Sequence, residues 1–286
     1  MSHTTQPANP VDHNATLGLA RQLAYRFLSL AMSDPRSKRW HDLHDDVFLT
    51  AVLSAAEYLS TEPQCRVGVL APGELAQDSL DFAPLLRIIR DPQIDLNTQY
   101  ERIFGLMLPK KCPPYETEYC PQTFSVYRSQ TLADIAGFYR AFGLEPSRDM
   151  PERDDHIALE LEFMAYLLAK ERRAADTEQA TICRDAQKRF AREHLAWWVP
   201  AFARALEQQS ARMDGPQRES IFYALVASAL AAFIPIERAI LEIDPPKELV
   251  APGPVEPQEE MSCSACAGSC ERSQPRSYNE TQNSRE

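Results

Sequence analysis

The stretch PERDDHIALELEFMAYL, residues 151–167, decides the fold of this chain. From Ile157 onward its apolar residues recur three or four positions apart, a spacing that puts side chains on one face of an α-helix. Acidic residues just ahead of Ile157 are typical of a helix start, because carboxylates accept hydrogen bonds from the free N–H groups of the first turn. We therefore expect a buried helix that begins here, with Asp154 or Asp155 as its cap.

His156 is the unusual residue at this helix start. The positive end of a helix disfavours an imidazolium, whereas the neighbouring carboxylates favour it. We therefore expect a ring nearly balanced between its neutral and protonated forms. Around it lies an acidic rim, which consists of Asp149, Glu152, Asp154 and Asp155. Such a rim suits a partner that carries arginine or lysine, although a helix cap plus solvated charge would explain it as well.

The same helical spacing recurs along most of the chain. Glycine is scarce, with 9 residues, and runs of alternating β-branched residues are few. These patterns predict an all-α fold, a single-domain bundle of about eight to ten helices with disordered termini. We expect a disordered tail over residues 1–14, the helical domain over residues 15–244, and a second disordered tail, rich in proline, acid and cysteine, over residues 245–286.

Three local signals refine this prediction. Gly143 is placed to end a helix in the left-handed conformation. Pro200 is expected to kink or break a long helical pattern that runs from Ile182 to Ala205. A short separate helix is expected over about residues 236–243, just after Pro235.

Charge and hydropathy favour a cytoplasmic protein. The formal net charge of −11 at pH 7 disfavours nucleic acid or an anionic membrane as the main partner. The N-terminus lacks the apolar core of a secretory signal, and the longest apolar run, residues 224–236, is too short to span a bilayer. We therefore expect no nucleic acid partner and no stable membrane insertion. The seven cysteines fit a reducing compartment.

The sequence lacks the signatures of phosphate-binding loops, nucleophile elbows and zinc proteases, so we expect no enzyme activity and no cofactor. Two metal sites stay open as alternatives. His41 and His44 lie in WHDLHDDVF, residues 40–48, and His-Asp pairs serve helical metal-dependent hydrolases. A tail array could bind zinc or an iron–sulfur cluster in a metal-delivery factor, although a fourth ligand is missing. Its residues are Cys263, Cys266 and Cys270.

An irregular segment interrupts the helices at PKKCPPYETEYCPQTF, residues 109–124. Its four prolines prevent a regular helix, and a loop of this length inside a helical domain is often functional. This loop and three helical stretches resemble, in order, the TorD/DmsD/NarJ family of all-helical cytoplasmic chaperones for molybdenum-cofactor enzymes. The resemblance covers roughly residues 15–240. The four stretches are YERIFG (100–105), PPYETEY (113–119), FYRAFGL (138–144) and DDHIALELEFMAYL (154–167).

The resemblance implies a chaperone rather than an enzyme. Members of this family bind the twin-arginine leader, or another N-terminal segment, of a molybdopterin oxidoreductase catalytic subunit in its apo form. They hold that subunit until the cofactor is inserted and then release it for export or assembly. The implied partners are therefore such a subunit and its leader peptide. Both a monomer and a homodimer fit a bundle of this type.

The resemblance also implies which residues bind the leader. The family's binding residues correspond to Tyr100, Ile103, Phe104, Pro114, Tyr115, Glu116, Asp155 and His156. We expect residues 100–119 and 154–156 to meet as a groove, apolar on one side and anionic on the other, that holds the leader as a helix. His156 would then position the leader rather than act as a base. The cysteine-bearing tail departs from most family members, which leaves the client's identity open.

Overall fold

The structure, a computed structural model, describes residues 10–105, 111–120, 125–145, 147, 152–213 and 221–253. These residues contain nine α-helices and confirm the all-α prediction. The helices are α1 (Pro10–Ala31), α2 (Asp46–Thr61), α3 (Ala83–Ile89), α4 (Leu96–Phe104), α5 (Ser125–Ala141), α6 (Ile157–Arg172), α7 (Thr177–Phe190), α8 (Val199–Met213) and α9 (Ile221–Leu241). Short 3-10 turns lie at Lys38–His44, Pro63–Cys65, Gln77–Ser79 and Glu116–Tyr119, and a π turn lies at Ala191–Leu195.

Helix α6 lies at the centre of the bundle, as its apolar spacing predicts. Its face of Ile157, Leu161, Met164 and Leu168 is almost completely buried. Helix α6 packs most extensively against α1, and α7 packs against it as well. Burial of four such side chains stabilises the fold by roughly 1.5–3 kcal/mol each. The apolar stretch from Ile157 to Leu167 is therefore part of a core helix that begins directly after His156.

Helix α9 is the second core helix, and its extent corrects one prediction. It runs through Pro235 to Leu241, so the separate short helix expected over residues 236–243 does not exist. Proline removes one helical hydrogen bond, but both it and its neighbours are buried against the rest of the bundle. Within the described residues, α9 is also long and apolar enough to cross a membrane, with a mean hydropathy of 1.8. Because 72% of that window is buried inside the protein, it is placed as a core helix.

Gly143 and Pro200 act as predicted. Gly143 follows α5 with a φ of 76°, the left-handed conformation in which glycine has no Cβ to clash. Helix α8 begins at Val199, so Pro200 falls in its first turn, where a missing N–H leaves no helical bond unmade.

The described residues also bear on the expected tails, whose boundaries otherwise stay predictions. Helix α1 already begins at Pro10, inside the segment assigned to the N-terminal tail. A proline suits this first helical position because its φ is preset for a helix. At the other end, Leu249 and Val250 lie in the segment assigned to the C-terminal tail but pack against the core.

Two buried ion pairs connect α9 to distant parts of the chain. Arg21 of α1 donates from Nε and Nη2 to the two carboxylate oxygens of Glu237, at 2.8 and 2.7 Å. Arg238 donates from Nε to Glu74 at 2.7 Å. All four side chains are buried. A buried charge without its partner is strongly unfavourable, so these pairs fix how α9 is placed.

We predict that Glu237→Ala lowers the free energy of unfolding by about 3–5 kcal/mol, because it leaves the Arg21 guanidinium buried without its partner. Urea unfolding followed by circular dichroism measures this change. Arg90→Ala is the control, because it removes an ion pair with Asp46 whose side chains are both largely exposed. That variant should lose less than about 1 kcal/mol. Equal losses in the two variants would contradict the assigned role of the buried pair.

Candidate functional site

The loop that contains Pro114 and Tyr115 lies directly against the start of α6. We call residues 111–120 the Pro-Pro-Tyr loop. A short antiparallel bridge pairs Tyr115 with His156. In it, Glu116 N donates to Asp155 O at 3.0 Å and Ile157 N donates to Pro114 O at 2.9 Å. The Tyr115 and His156 rings meet edge to face, with centroids 5.2 Å apart. Two segments about 40 residues apart in sequence thus form one local structure.

The Asp155 carboxylate holds this structure together. It is fully buried and accepts hydrogen bonds from Thr117 N at 3.1 Å and Thr117 Oγ1 at 2.7 Å. Arg153 donates to both of its oxygens, from Nε at 3.0 Å and Nη2 at 2.8 Å. The expectation that an aspartate caps α6 is therefore wrong, because this carboxylate faces the loop. The cap is His156, whose Nδ1 accepts from Ala158 N at 3.1 Å.

His156 is neutral, which corrects the expectation of a balanced ring. Only 3% of the residue is exposed, and burial lowers its pKa to about 4. Asp155 opposes this shift, but Arg39 and Arg153 add to it. A neutral ring is also what the cap requires, since Nδ1 accepts a hydrogen bond only when it carries no proton. His156 is therefore a structural part of the helix start.

Arg153 completes the arrangement around Asp155. Its guanidinium carbon lies 4.3 Å from the centroid of the Tyr115 ring. Its Nη2 donates to Thr117 Oγ1 at 2.7 Å, and its Nη1 lies 3.4 Å from a carboxylate oxygen of Glu118. Burial opposes its charge, but the Asp155 and Glu118 carboxylates keep the pKa of Arg153 above its usual value. We call the groups that surround it, Tyr115, Thr117, Glu118 and Asp155, the guanidinium site.

A second set of polar contacts fixes the loop from the opposite side. The Glu116 carboxylate is buried and lies 3.0 Å from His194 Nδ1 and 3.0 Å from Trp197 Nε1, which donates to it. Burial raises the pKa of Glu116, although His194 opposes the shift. Glu160 of α6 is fully buried too, and burial together with Glu116 raises its pKa. Burial thus disfavours the charged form of both carboxyl groups.

His194 also belongs to a group with the spacing of metal ligands. Single ligand atoms of Asp134, Glu193 and His194 lie within 4.8 Å of one another. His194 Nε2 lies 3.1 Å from Asp134, and Glu193 is paired with Arg189 and Arg192. The two carboxylates are therefore already paired with side chains of the protein. We interpret the group as a set of contacts that holds the π turn in place.

The apolar residues expected in the groove lie mostly in the core. Ile103 and Phe104 are buried, and the Phe104 ring packs on Tyr223 with centroids 5.3 Å apart. Of the eight residues implied by the family resemblance, Tyr100 and Tyr115 are partly exposed. The other six, which are Ile103, Phe104, Pro114, Glu116, Asp155 and His156, are buried. Their contact with a leader stays a prediction, and in this conformation they support the surface from beneath.

A cleft of about 580 Å³ lies between α1, α6 and the residues after α5, and its lining residue Glu152 accepts a hydrogen bond from Tyr115 of the Pro-Pro-Tyr loop. Its apolar lining includes Leu30, Leu144, Leu159 and Phe163. Its charged lining consists of Asp42, Glu145, Glu152, Asp154, Glu162, Arg26, Arg39 and Arg173. Sequence reasoning found Glu152 and Asp154 but missed the contributions of α1 and of residues 38–44. Only the packing of α1 on α6 brings those residues to this cleft.

The remaining candidate residues are separate from this site. His41 and His44 are exposed on the 3-10 turn Lys38–His44. Among the described residues they do not belong to the group with metal-ligand spacing. Asp149 and the tail cysteines Cys263, Cys266 and Cys270 lie outside the described residues. The last described residue, Gly253, donates its N–H to Glu118 O at 2.8 Å and so lies beside the loop.

Comparison with known proteins finds one matching family and several similar chaperones. Residues 73–204 match the family described as nitrate reductase delta subunit. The chain is 28% identical over 157 residues to chaperone protein TorD of Photobacterium profundum, covering 54% of this chain and 68% of that protein. It is 40% identical over 81 residues to a selenate reductase assembly chaperone protein of Thauera selenatis, covering 28% of this chain and 42% of that protein.

A third relative is a perchlorate reductase assembly chaperone protein of Dechloromonas aromatica. It is 26% identical over 184 residues, covering 64% of this chain and 75% of that protein. A second TorD, from Vibrio cholerae, is matched over 53% of its length, so some of these alignments span only about half of the relative. These matches make the chain similar to the nitrate reductase delta subunit family and to reductase assembly chaperones of the TorD type.

We predict that Asp155→Ala lowers the free energy of unfolding by about 2–4 kcal/mol, because Thr117 and Arg153 lose charge-assisted hydrogen bonds. Urea unfolding gives the size of the loss, and hydrogen exchange at the Thr117 amide locates it. Asp154→Ala is the matched control, since it removes the neighbouring carboxylate, which is only partly buried. The control should lose less than about 1 kcal/mol. A larger loss in the control than in Asp155→Ala would contradict this account.

A second prediction concerns acid pH. Because the pKa of His156 is lowered in the folded state, the unfolded chain binds a proton first as the pH falls. The stability that the neutral ring contributes is present above about pH 6.5 and is lost as the pH falls towards 4. His156→Asn keeps a capping side chain but does not titrate. Between these pH values the wild type should lose about 3 kcal/mol more than the variant in urea unfolding. Parallel pH profiles would show that His156 is not buried as a neutral ring.

Proposed function

We propose that this chain is a cytoplasmic assembly chaperone that binds the N-terminal segment of a molybdopterin oxidoreductase catalytic subunit. It holds the apo subunit until the cofactor is inserted and then releases it. The observation that carries this proposal is the meeting of the Pro-Pro-Tyr loop with the Asp155-His156 helix start, beside an acidic cleft. The names of the relatives, which are assembly chaperones of selenate and perchlorate reductases, support this class of partner.

The shape of the cleft supports a peptide as ligand. Its floor is apolar, with Leu30, Leu159 and Phe163, and its rim is charged. A leader with a basic start and an apolar stretch matches both parts, because apolar side chains enter the floor while arginines meet the rim. Recognition shared between many modest contacts also permits release, which a chaperone requires after each cycle.

The charges of the rim support a basic partner. Asp42 and Glu162 are already paired with Arg26 and Arg39. By contrast, Glu145, Glu152 and Asp154 form no ion pair within the described part of the chain. These three carboxylates are the ones that an incoming arginine pair would meet.

Among these three carboxylates, Asp154 is the one whose negative charge we expect an arginine of the partner to stabilise most. Partial burial and the neighbouring Asp155 carboxylate raise the pKa of Asp154, which means that its negative charge is held at a disadvantage. A guanidinium placed against it would offset that disadvantage through a charge-assisted hydrogen bond. Binding of an arginine is therefore favoured over binding of a neutral residue at this end of the cleft.

The alternatives find less support among the described residues. A metal-dependent hydrolase would need His41 and His44 to converge with acids, yet Asp42 is paired with Arg26 and Asp45 caps α2. The metal-delivery alternative depends on the tail cysteines, which lie outside the described residues. We therefore propose a binding role rather than a catalytic one.

The proposal is tested by binding of a fluorescein-labelled synthetic twin-arginine leader peptide, measured by fluorescence anisotropy. The variant carries Glu152→Gln and Asp154→Asn together. We expect its Kd to rise at least about tenfold, which corresponds to about 1.4 kcal/mol, because two charge-assisted contacts are lost. Added salt should weaken wild-type binding, since the contacts are partly exposed.

The control variant carries Glu57→Gln and Glu178→Gln, two exposed carboxylates on α2 and α7. It removes the same formal charge from other surfaces, so its Kd should stay within about twofold of wild type. Binding that is absent in the wild type, or that falls equally in both double variants, would overturn the proposed function of the cleft.

A further inference from the structure

The guanidinium site has every group needed to recognise an arginine side chain. The Asp155 carboxylate accepts two parallel hydrogen bonds, from Nε at 3.0 Å and Nη2 at 2.8 Å. This fork geometry is specific for a planar guanidinium and cannot be reproduced by the point charge of a lysine. The Tyr115 ring covers the guanidinium at 4.3 Å, within the range of a cation–π contact. Glu118 supplies a further carboxylate at 3.4 Å.

The arginine that occupies this site belongs to the chain itself. Arg153 lies only two residues before Asp155, so it reaches the carboxylate across a single turn of backbone. The Asp155 side chain is fully buried, whereas 35% of the Arg153 side chain is exposed. Arg153 therefore lies on the outer side of the carboxylate and separates it from solvent. If Arg153 swings outward, its charged group enters water and Asp155 becomes accessible along the same path.

The site also adjoins the proposed leader cleft. Glu152 and Asp154, which flank Arg153 in sequence, line that cleft. Glu152 accepts a hydrogen bond from Tyr115 Oη at 3.2 Å and from Arg153 N at 2.9 Å, so one residue contacts both the site and the cleft. An arginine at the end of a peptide bound in the cleft would thus be close to Asp155.

We propose that the guanidinium site binds one arginine of the client's leader, and that Arg153 is an internal substitute that leaves when the client arginine enters. This inference rests on the proposed function and names the contact that selects arginine within it. In the free protein, Arg153 keeps the buried Asp155 carboxylate paired. On binding, one guanidinium replaces another, so the buried charge remains paired.

The exchange has a consequence for affinity and release. An internal competitor lowers the apparent affinity for the leader, because only the fraction of molecules with Arg153 displaced can bind the client arginine. The same competitor promotes release, because Arg153 is tethered next to the site and can pair with Asp155 again as soon as the client arginine leaves. A chaperone that must let go of its client benefits from both effects.

Arg153→Ala tests the exchange with the labelled twin-arginine peptide. Loss of the competitor should lower the Kd at least about threefold, with unchanged binding of a peptide in which both arginines are lysine, because lysine does not form the fork. Arg128→Ala is the matched control, since Arg128 also pairs with Glu118, at 3.2 Å, but makes no hydrogen bond to Asp155. Its Kd for the arginine peptide should change less than about twofold.

Arg153→Lys distinguishes the effect of the two parallel guanidinium hydrogen bonds from the effect of positive charge alone. It keeps the positive charge, so an effect of charge alone predicts the wild-type Kd for the arginine peptide. The exchange predicts tighter binding than wild type, because lysine is the weaker occupant of the site. Equal or weaker binding in both Arg153 variants, or equal gains for the arginine and lysine peptides, would overturn the proposal.

Methylguanidinium chloride gives a test without any peptide, which separates this proposal from the proposed function. In the full chain with Arg153→Ala, millimolar methylguanidinium should raise the melting temperature, because it binds the folded state at the vacated site. Methylammonium should not, and the wild type should respond to neither. A rise here with no peptide binding in any variant would place the failure in the proposed function. No rise with methylguanidinium would overturn the guanidinium site itself.

Discussion

The buried carboxylate of Asp155 is the constraint on which the rest of the structure at this surface depends. A fully buried charge must be paired and hydrogen-bonded, and this one meets the requirement with Thr117 from the Pro-Pro-Tyr loop and Arg153 from its own turn. The loop is therefore fixed to the start of α6 by these charge-assisted hydrogen bonds together with the backbone bridge between Tyr115 and His156. Because polar contacts of this kind are directional, they also fix the Tyr115 ring, the neutral His156 and the adjoining rim of the cleft.

The same loop is held from its other side by Glu116, which lies against His194 and Trp197. The adjoining cleft is lined by five carboxylates and three arginines, so its charged lining is acidic on balance. This arrangement separates two tasks that acidic residues perform here. In the free protein, buried acids such as Asp155 and Glu116 stabilise the loop, whereas the half-exposed Asp154 and exposed Glu152 already face the cleft. A basic leader would then meet an existing charge pattern, and at Asp155 one guanidinium would replace another without leaving the buried carboxylate unpaired.

Structure that depends on interactions between neighbours in the sequence could be predicted, whereas structure that depends on contacts between distant segments could not. Helix α6, the end of α5 at Gly143 and the break at Pro200 depend on neighbours within a few residues, and the sequence predicts them correctly. The family resemblance predicts that Tyr115 and His156 meet, and the structure pairs them in a bridge. The roles of Asp155 and His156 depend on Thr117 and on burial by distant segments, which spacing alone does not reveal. Helical spacing does not predict the role of Arg153, although an arginine between acids in PERDDH is a signal for internal pairing.

The most direct test of the account is hydrogen–deuterium exchange of the full chain with and without a twin-arginine leader peptide. We predict slower exchange in peptides that cover residues 114–119 and 152–166, where the loop, the helix start and the cleft meet. Residues 177–190 of α7, which lie outside the cleft, should exchange at the same rate in both samples. Slower exchange confined to other surfaces, with residues 114–119 and 152–166 unchanged, would contradict the claim that this surface receives the leader.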